Sequence, residues 1–352
     1  MGHSQPTEIF IYFTLSPSPD NKHGGLVVIW KYNAELNLLT VFLYSAFATY
    51  AFMPYVLQKL KKFGYVVKDM HKLSRPLIPS LGGVAIFAGV MVSLALSQLL
   101  FRDGSSGKVF IFYFIVIVYA LYGLLDDLFH FKRRYDKIAV LLVLSLPIAS
   151  LLSSTYLDIF GFMIDLDGFY LYLLAPVYIM VVANLVNIHA GFNGLGPGTA
   201  LLVLIAAGIE SYTRYGLLNL PYLMPILGAL SVFIIYNWYP AKVFDGNIGA
   251  FLMGGALGAF LIVNHLEVFG VICLLPNIIT FVLDTWVLGI RKRKDIEFPV
   301  PRKDNLIVPA PTMRYKSFKN VLCTWFKLTE KKATILSLSI TAICCAVAVF
   351  LI

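Results

Sequence analysis

The sequence predicts an all-α polytopic membrane protein of about ten transmembrane helices, and three observations carry that reading. Hydrophobic residues make up 59% of the 352 residues and charged residues only 13%, and the mean hydropathy is +0.79. That leaves too little polar surface to cover a soluble globule of this length. The apolar residues gather in runs close to the roughly 20 residues a helix needs to cross a hydrocarbon core of about 30 Å. Finally, the basic residues fall almost entirely in alternate loops between those runs.

Taken in order, residues 1–37 form a polar segment containing Pro and Ser, with no basic stretch leading into an apolar core. No cleavable leader is expected there, and the first span anchors the chain. Spans are expected at 38–57, 78–101, 109–128, 138–154, 169–188, 198–213, 222–236, 248–264, 268–289 and 333–352. The seventh is short, and "VNHLEVFG" leaves almost no loop between the eighth and ninth. Between the fourth and fifth, "YLDIFGFMIDLDGF" (Tyr156 to Phe169) alternates apolar residues around an Asp-Gly pair and reads as a small hairpin. Cys273, Cys323, Cys344 and Cys345 have neither metal nor redox spacing and read as small hydrophobes.

Of 28 Lys and Arg, 23 lie on one side: six within 59–75, four within 132–137, Lys242, and twelve within 291–332. Only Lys22, Lys31, Arg102, Lys108 and Arg214 lie on the other. The positive-inside rule makes the first side cytoplasmic and places both termini outside. The net charge of +9 is therefore a property of one membrane face, and no nucleic-acid partner is expected.

Topology alone explains a basic face, but not the other residues gathered there. "LYGLLDDLFHFKRRYDK" (Leu121 to Lys137) ends an apolar run with Asp126 and Asp127. Two carboxylates at a membrane boundary are costly unless they bind a cation or each finds a partner. Consecutive helical residues point about 100° apart, which suits the pair to two separate tasks. "NLVNIHAGFNGLGPG" (Asn184 to Gly198) sets Asn184 and Asn187 on one helical face, then four glycines within eight residues around Asn193. It lacks the Lys and the strand context of a Walker motif, but such glycines let backbone N–H groups approach a ligand closely. "YNWYPAKVFDGNIGAF" (Tyr236 to Phe251) places Asp245 and Asn247 around Gly246 before the eighth span, and Mg²⁺ prefers such hard oxygen donors. Carboxylates and amides for a hard metal, glycine backbone for a nucleotide and cations for phosphates together suggest phosphoryl transfer at a membrane surface.

With these motifs in view, the chain resembles the polyprenyl-phosphate N-acetylhexosamine-1-phosphate transferases (glycosyltransferase family 4). The likeness runs from "HKLSRPLIPSLGG" (His71 to Gly83) through "RYKSF" (Arg314 to Phe318), and its most specific pieces are "GLLDDL", "NLVNIHAGFNGL" and "YNWYPAKVF". The last points to the tunicamycin-sensitive branch that uses UDP-GlcNAc and dolichyl phosphate, rather than to the bacterial phospho-MurNAc-pentapeptide branch. The lack of a long insertion before the last helix points to an archaeal member.

The resemblance implies a single transmembrane catalytic domain over 38–352, with a cytoplasmic loop at 290–332 and the active site on the cytoplasmic face. It implies Asp126 and Asp127 as the paired acids and Lys137 as a lysine reaching the phosphates. It also implies Asn187 as an amide ligand of the metal, and Gly191 and Asn193 as part of the loop that holds the uracil. Arg302 resembles the arginine that grips the pyrophosphate or sugar; Lys303, Lys72 and Asn184 are further candidate substrate-binding residues. Asn247 stands where relatives have a metal-binding Asp, so the metal is expected on Asn247 or on Asp245 nearby. Ser80 replaces a Glu, and "PRKDN" keeps the Arg but loses the His and Arg that follow it.

The expected cofactor is Mg²⁺, with Mn²⁺ as substitute. The expected partners are UDP-GlcNAc, dolichyl phosphate in the bilayer and a second copy of the chain in a homodimer. The first rival reading keeps the fold and changes the sugar or the polyprenol. The second is a transporter, which would need charges deep within spans; Asp284 alone reads as such an acid.

Overall fold

The computed structural model describes residues 34–100, 106–131, 134–152, 154–290, 300–301, 304–311 and 314–352. Its thirteen α-helices among these residues follow the apolar runs. They are α1 (Ala34–Lys62), α2 (Gly83–Leu100), α3 (Ser106–Phe129), α4 (Arg134–Ser145), α5 (Asp167–Phe169), α6 (Ala175–His189), α7 (Leu195–Tyr215), α8 (Met224–Asn237), α9 (Gly246–Val263), α10 (Glu267–Cys273), α11 (Leu275–Asp284), α12 (Phe318–Phe326) and α13 (Glu330–Leu351). Three two-stranded antiparallel ribbons connect them: β1 (Val66–Lys68) with β2 (Leu77–Pro79), β3 (Tyr156–Ile159) with β4 (Phe162–Asp165), and β5 (Val300–Pro301) with β6 (Ile307–Val308).

All ten expected spans contain helix, but seven are long and apolar enough to cross a membrane by themselves, and an eighth is a bent pair. This is an integral multi-pass membrane protein. The bent pair is α10 with α11, turning 71° between Cys273 and Leu275, where the ninth span was expected to be continuous. Pro276 lies in the first turn of α11, where a residue without an N–H is tolerated at a helix start but breaks a helix interior. The helices at Gly83–Ser97 and Lys137–Ser150 are shorter apolar ones. The second span begins at Gly83 rather than 78 because Leu77–Pro79 pair with Val66–Lys68.

The hairpin lies within the expected segment, but its turn does not use the Asp-Gly pair. The chain reverses at Phe160 and Gly161, both at positive φ, as right-twisted strands require of a two-residue connection. Asp167 and Gly168 instead open the next helix.

The core is organised around α9, of whose apolar stretch 83% is buried, against 28% for α13 at the periphery. Helices in lipid gain nothing from hydrophobic sorting and approach through small residues, and α9 reads "GNIGAFLMGGALGAFLIV". A Cβ on Gly254 would lie 2.5 Å from the Ala183 Cα of α6. A Cβ on Gly123 of α3 would lie 2.4 Å from the Asn247 carbonyl oxygen. These contacts set α3 and α6 directly against α9.

Asp284 is half-buried, with Lys316 Nζ 3.8 Å away, so it is not the deep acid the sequence suggested. The buried acids among the described residues are Asp69, Asp126, Glu210, Glu267 and Glu330. Glu210 pairs with Arg214 at 2.7 Å, and Glu267 receives the Tyr170 hydroxyl. Both lie at the end of the bundle carrying the β3–β4 hairpin, which Arg214 also reaches through Asp158.

Candidate active site

The close approach at Gly123 brings the last turn of α3 onto the first turn of α9, and the two aspartates then diverge. Asp126 turns inward and is 5% exposed. Lys137 Nζ lies 2.7 Å from its carboxylate, Asn247 Nδ2 donates to it at 3.1 Å, and the Phe131 N–H donates at 3.2 Å. Asp127 accepts the Ile248 N–H at 3.0 Å, a carboxylate at a helix N-terminus where the unpaired amides and dipole favour negative charge. Asp127 also lines a cavity of about 410 Å³, together with Asn187, Gly191, Phe244, Asp245 and Asn247.

The floor of this cavity is built by chain segments far apart in sequence. Phe244 N donates to Pro79 O at 2.8 Å, while Gly82 N and Gly83 N donate to Phe244 O and Asp245 O at 2.7 and 2.9 Å. The β1–β2 ribbon and the start of α2 are thereby bound to the turn that opens α9. Asp245 Oδ2 is buried without a hydrogen-bond partner, and burial, with the nearby Asp127 carboxylate, pushes Asp245 up to about 7.

An orphaned carboxylate oxygen is costly in this position. Asp245 lines the same cavity as Asp127, Asn187 and Asn247, residues whose carboxylate and amide oxygens suit a hard cation such as Mg²⁺. Among the described residues no three His, Cys, Asp or Glu converge as a metal cage. An ion taking further oxygens from water and phosphate needs no such cage.

Beside the cavity runs the loop between α6 and α7. Gly191 has φ +127° and Gly194 φ +79°, conformations glycine adopts at little cost. Asn193 is not among the described lining residues and sits in a buried network beside them. Its Oδ1 accepts from Lys72 Nζ and from Ala241 N, each at 2.9 Å, and its Nδ2 donates to Asp69 Oδ2 at 3.3 Å. Lys72 is further held by Asp69 at 2.9 Å and Glu330 at 2.6 Å, with its ammonium 4.3 Å from the Tyr239 ring centre. Lys319 donates to Ala190 O, and burial, reinforced by Lys316, pulls its ammonium down to about 8.

The residues picked from sequence thus separate into groups. Asp127, Asn187, Gly191, Asp245 and Asn247 surround one cavity, and Asp126 with Lys137 backs it. Asn193 and Lys72 meet in the network alongside. Asn184 binds Met180 O of its own helix at 2.8 Å and is not among the described lining residues. Arg302 and Lys303 lie outside the described residues, as does most of the polar segment 1–37. Asp69, Glu330, Lys319 and Phe244 were not picked. The signal available for Glu330 was its place in "LTEKKA", where Thr329 caps the last helix through the Lys332 N–H.

The model of glycosyl transferase family 4 matches residues 109–265, which include both aspartates, the glycine loop and the Asp245 turn. A Saccharolobus solfataricus protein provisionally named UDP-N-acetylglucosamine–dolichyl-phosphate N-acetylglucosaminephosphotransferase is 30% identical over 257 residues, covering 70% of this chain and 78% of the relative. A Sulfolobus acidocaldarius protein with the same provisional name is 29% identical over 240 residues, 65% of this chain and 72% of the relative. The phospho-N-acetylmuramoyl-pentapeptide-transferase of Streptococcus thermophilus is 30% identical over 249 residues, 65% of this chain and 70% of the relative. The relatives thus span both branches, and the matched region contains Asp127, Asn187, Gly191, Asp245 and Asn247, which meet at the cavity: the chain belongs to glycosyl transferase family 4.

Proposed function

We propose that this chain transfers GlcNAc-1-phosphate from UDP-GlcNAc to dolichyl phosphate, giving dolichyl-PP-GlcNAc and UMP, the first step of lipid-linked oligosaccharide assembly for protein N-glycosylation. The observation that carries the reading is that Asp127, Asp245, Asn187 and Asn247 line one cavity at one end of a membrane-spanning bundle, next to a glycine loop. One substrate arrives from lipid and the other from water, which accounts for charged groups at that boundary. The names of the Saccharolobus and Sulfolobus relatives favour the dolichyl branch.

An oxygen of dolichyl phosphate attacks the β-phosphorus of the donor. The bond from that phosphorus to the bridging oxygen breaks, and the electron pair leaves with UMP. Asp127, Asp245, Asn187 and Asn247 are positioned to hold Mg²⁺ (or Mn²⁺), which when bound neutralises charge on the diphosphate oxygens. Asp126 orients Asn247 and holds Lys137 near the site. Gly191 presents backbone to the nucleotide, and Arg302 and Lys303 supply cations for the pyrophosphate or sugar. The acceptor phosphate is already largely ionised near neutrality, so positioning and electrostatics supply most of the acceleration.

The site faces the cytoplasm, both termini face out, and residues 38–352 act as one catalytic domain in the plasma membrane of an archaeal cell. Purified protein incubated with radiolabelled UDP-sugars, Mg²⁺ and several polyprenyl phosphates tests the assignment. Label passing from UDP-GlcNAc to dolichyl phosphate, with UMP released, is expected. Transfer only from another UDP-sugar, or only to undecaprenyl phosphate, selects the rival within the family. No transfer to any lipid overturns the reading.

A further inference from the structure

The loop 190–194 has no regular structure of its own, so its backbone groups must find partners elsewhere or carry the cost of burial unpaired. The Gly194 N–H finds Asn237 Oδ1 at 3.0 Å, whereas the partners of Ala190 and Asn193 come from the C-terminal part of the chain, more than a hundred residues away. Glu330 Oε1 accepts the Asn193 N–H at 2.8 Å, and Thr334 Oγ1 donates to Asn193 O at 3.2 Å. On the other flank Lys319 Nζ donates to Ala190 O and, at 3.4 Å, to His189 O.

The signs match the groups they meet. The carboxylate takes a backbone N–H, and the ammonium takes the free carbonyls at the end of α6, where the helix dipole favours a cation. Lys319 also stands directly behind Gly191, since a Cβ there would lie 2.5 Å from its Nζ. Through Oε2 Glu330 holds Lys72, and Lys72 holds Asp69, which lines the cavity. One buried acid therefore connects the glycine loop to the segment beside β1. Neither Lys319 nor Glu330 is among the described lining residues of the cavity, so Lys319 reaches it through the loop, and Glu330 through the loop and through Lys72 and Asp69.

We propose that Lys319 and Glu330 are positioning residues for the nucleotide: a cation and an anion from α12 and α13 that grip the loop 190–194 from behind and fix the direction in which Gly191 presents its backbone to the cavity. The inference rests on the reading of that cavity as the UDP-GlcNAc site. The nucleotide end of the donor alone depends on this clamp; the acceptor lipid and the aspartates do not.

The test measures UMP and UDP-GlcNAc binding by calorimetry on the full-length detergent-solubilised protein, together with steady-state kinetics. Glu330→Ala and Lys319→Met are expected to weaken both ligands about tenfold, equivalent to about 1.4 kcal/mol. They should raise the donor KM by a similar factor while leaving kcat at saturating donor and the lipid KM within roughly twofold of the parent. Glu330→Gln keeps an oxygen for the Asn193 N–H and is expected to recover most of the affinity; Lys319→Arg keeps the cation and is expected to do likewise. Lys319→Met and Glu330→Gln make the comparison independent of whether the Glu330→Ala variant folds. Unchanged nucleotide affinity in folded Lys319→Met and Glu330→Ala overturns the proposal, and so does an equal loss in donor KM, lipid KM and kcat, which marks a general packing defect. If the parent neither binds UMP nor transfers label, the reading of the cavity itself fails and this inference fails with it.

Discussion

Successive helical side chains point about 100° apart, and the last turn of α3 uses that angle to give two identical acids different surroundings. Asp126 is enclosed by Lys137, Asn247 and the Phe131 amide, while Asp127 looks into the cavity beside Asp245. Asp127→Asn should lower kcat roughly 10²–10³-fold, the scale of losing one charge-stabilising group, at an unchanged melting temperature. Asp126→Asn should lower activity too, but should also cost about 1–3 kcal/mol in stability, because a buried, charge-assisted network loses its anion. Parallel activity assays and thermal melts separate the two; identical behaviour would reject the division of labour. At Asp245 the orphaned Oδ2 predicts that Asp245→Ala raises the Mg²⁺ concentration for half-maximal activity about tenfold, and that Asn247→Asp lowers it or leaves it unchanged. A Mg²⁺ titration matching the parent for Asp245→Ala would assign the metal to other residues.

Among elements, the contact between α3 and α9 decides whether those side chains meet at all. It depends on Gly123, where a Cβ would press on the backbone of Asn247 at 2.4 Å. A flexible side chain could give way, but a helix N-terminus cannot move alone. Gly123→Ala is therefore expected to destabilise by about 1–3 kcal/mol as an overpacked contact and to reduce transfer at least as strongly as a change in Asn247. Gly161→Ala provides the comparison: its φ of +87° makes alanine strained, yet nothing lies within 4 Å of the new methyl. It should lower the melting temperature and leave kcat unchanged. Equal activity losses in both variants would mean that stability, not the α3–α9 approach, controls the site.

Across the whole molecule, among the described residues, the cavity lies at one end of the bundle with Lys72, Lys137 and Lys319 beside it. The Arg214–Asp158–Glu210 group and the β3–β4 hairpin occupy the other. The charge partition predicts which end faces the cytoplasm. Cysteines at Val66→Cys and Arg134→Cys should react with a membrane-impermeant maleimide only from the cytoplasmic side, and those at Tyr215→Cys and Leu218→Cys only from outside. The native cysteines interfere little, since Cys273, Cys323 and Cys345 are buried and Cys344 is half-buried. Labelling of Val66→Cys and Leu218→Cys from the same side would break this topology, and the cytoplasmic site would go with it.

The sequence alone determined the membrane class, the position of nearly every helix, the hairpin segment and the motifs that meet at the cavity. Each of these is written locally, in runs of apolar residues, in adjacent acids or in clustered glycines, and a bilayer enforces such patterns because backbone polar groups must be satisfied within each span. Tertiary structure decided what has no local signature. The 71° bend within the ninth span, which Pro276 permits, sets α10 against α13 and α11 against α6. Lys72 and Asn193, two candidate substrate-binding residues in the sequence, meet in a network closed by a glutamate 258 residues from Lys72, a partner no local pattern announces. Likewise the choice between two adjacent aspartates depends on where α9 begins, and only close packing of distant helices fixes which acid is enclosed and which is left facing the cavity.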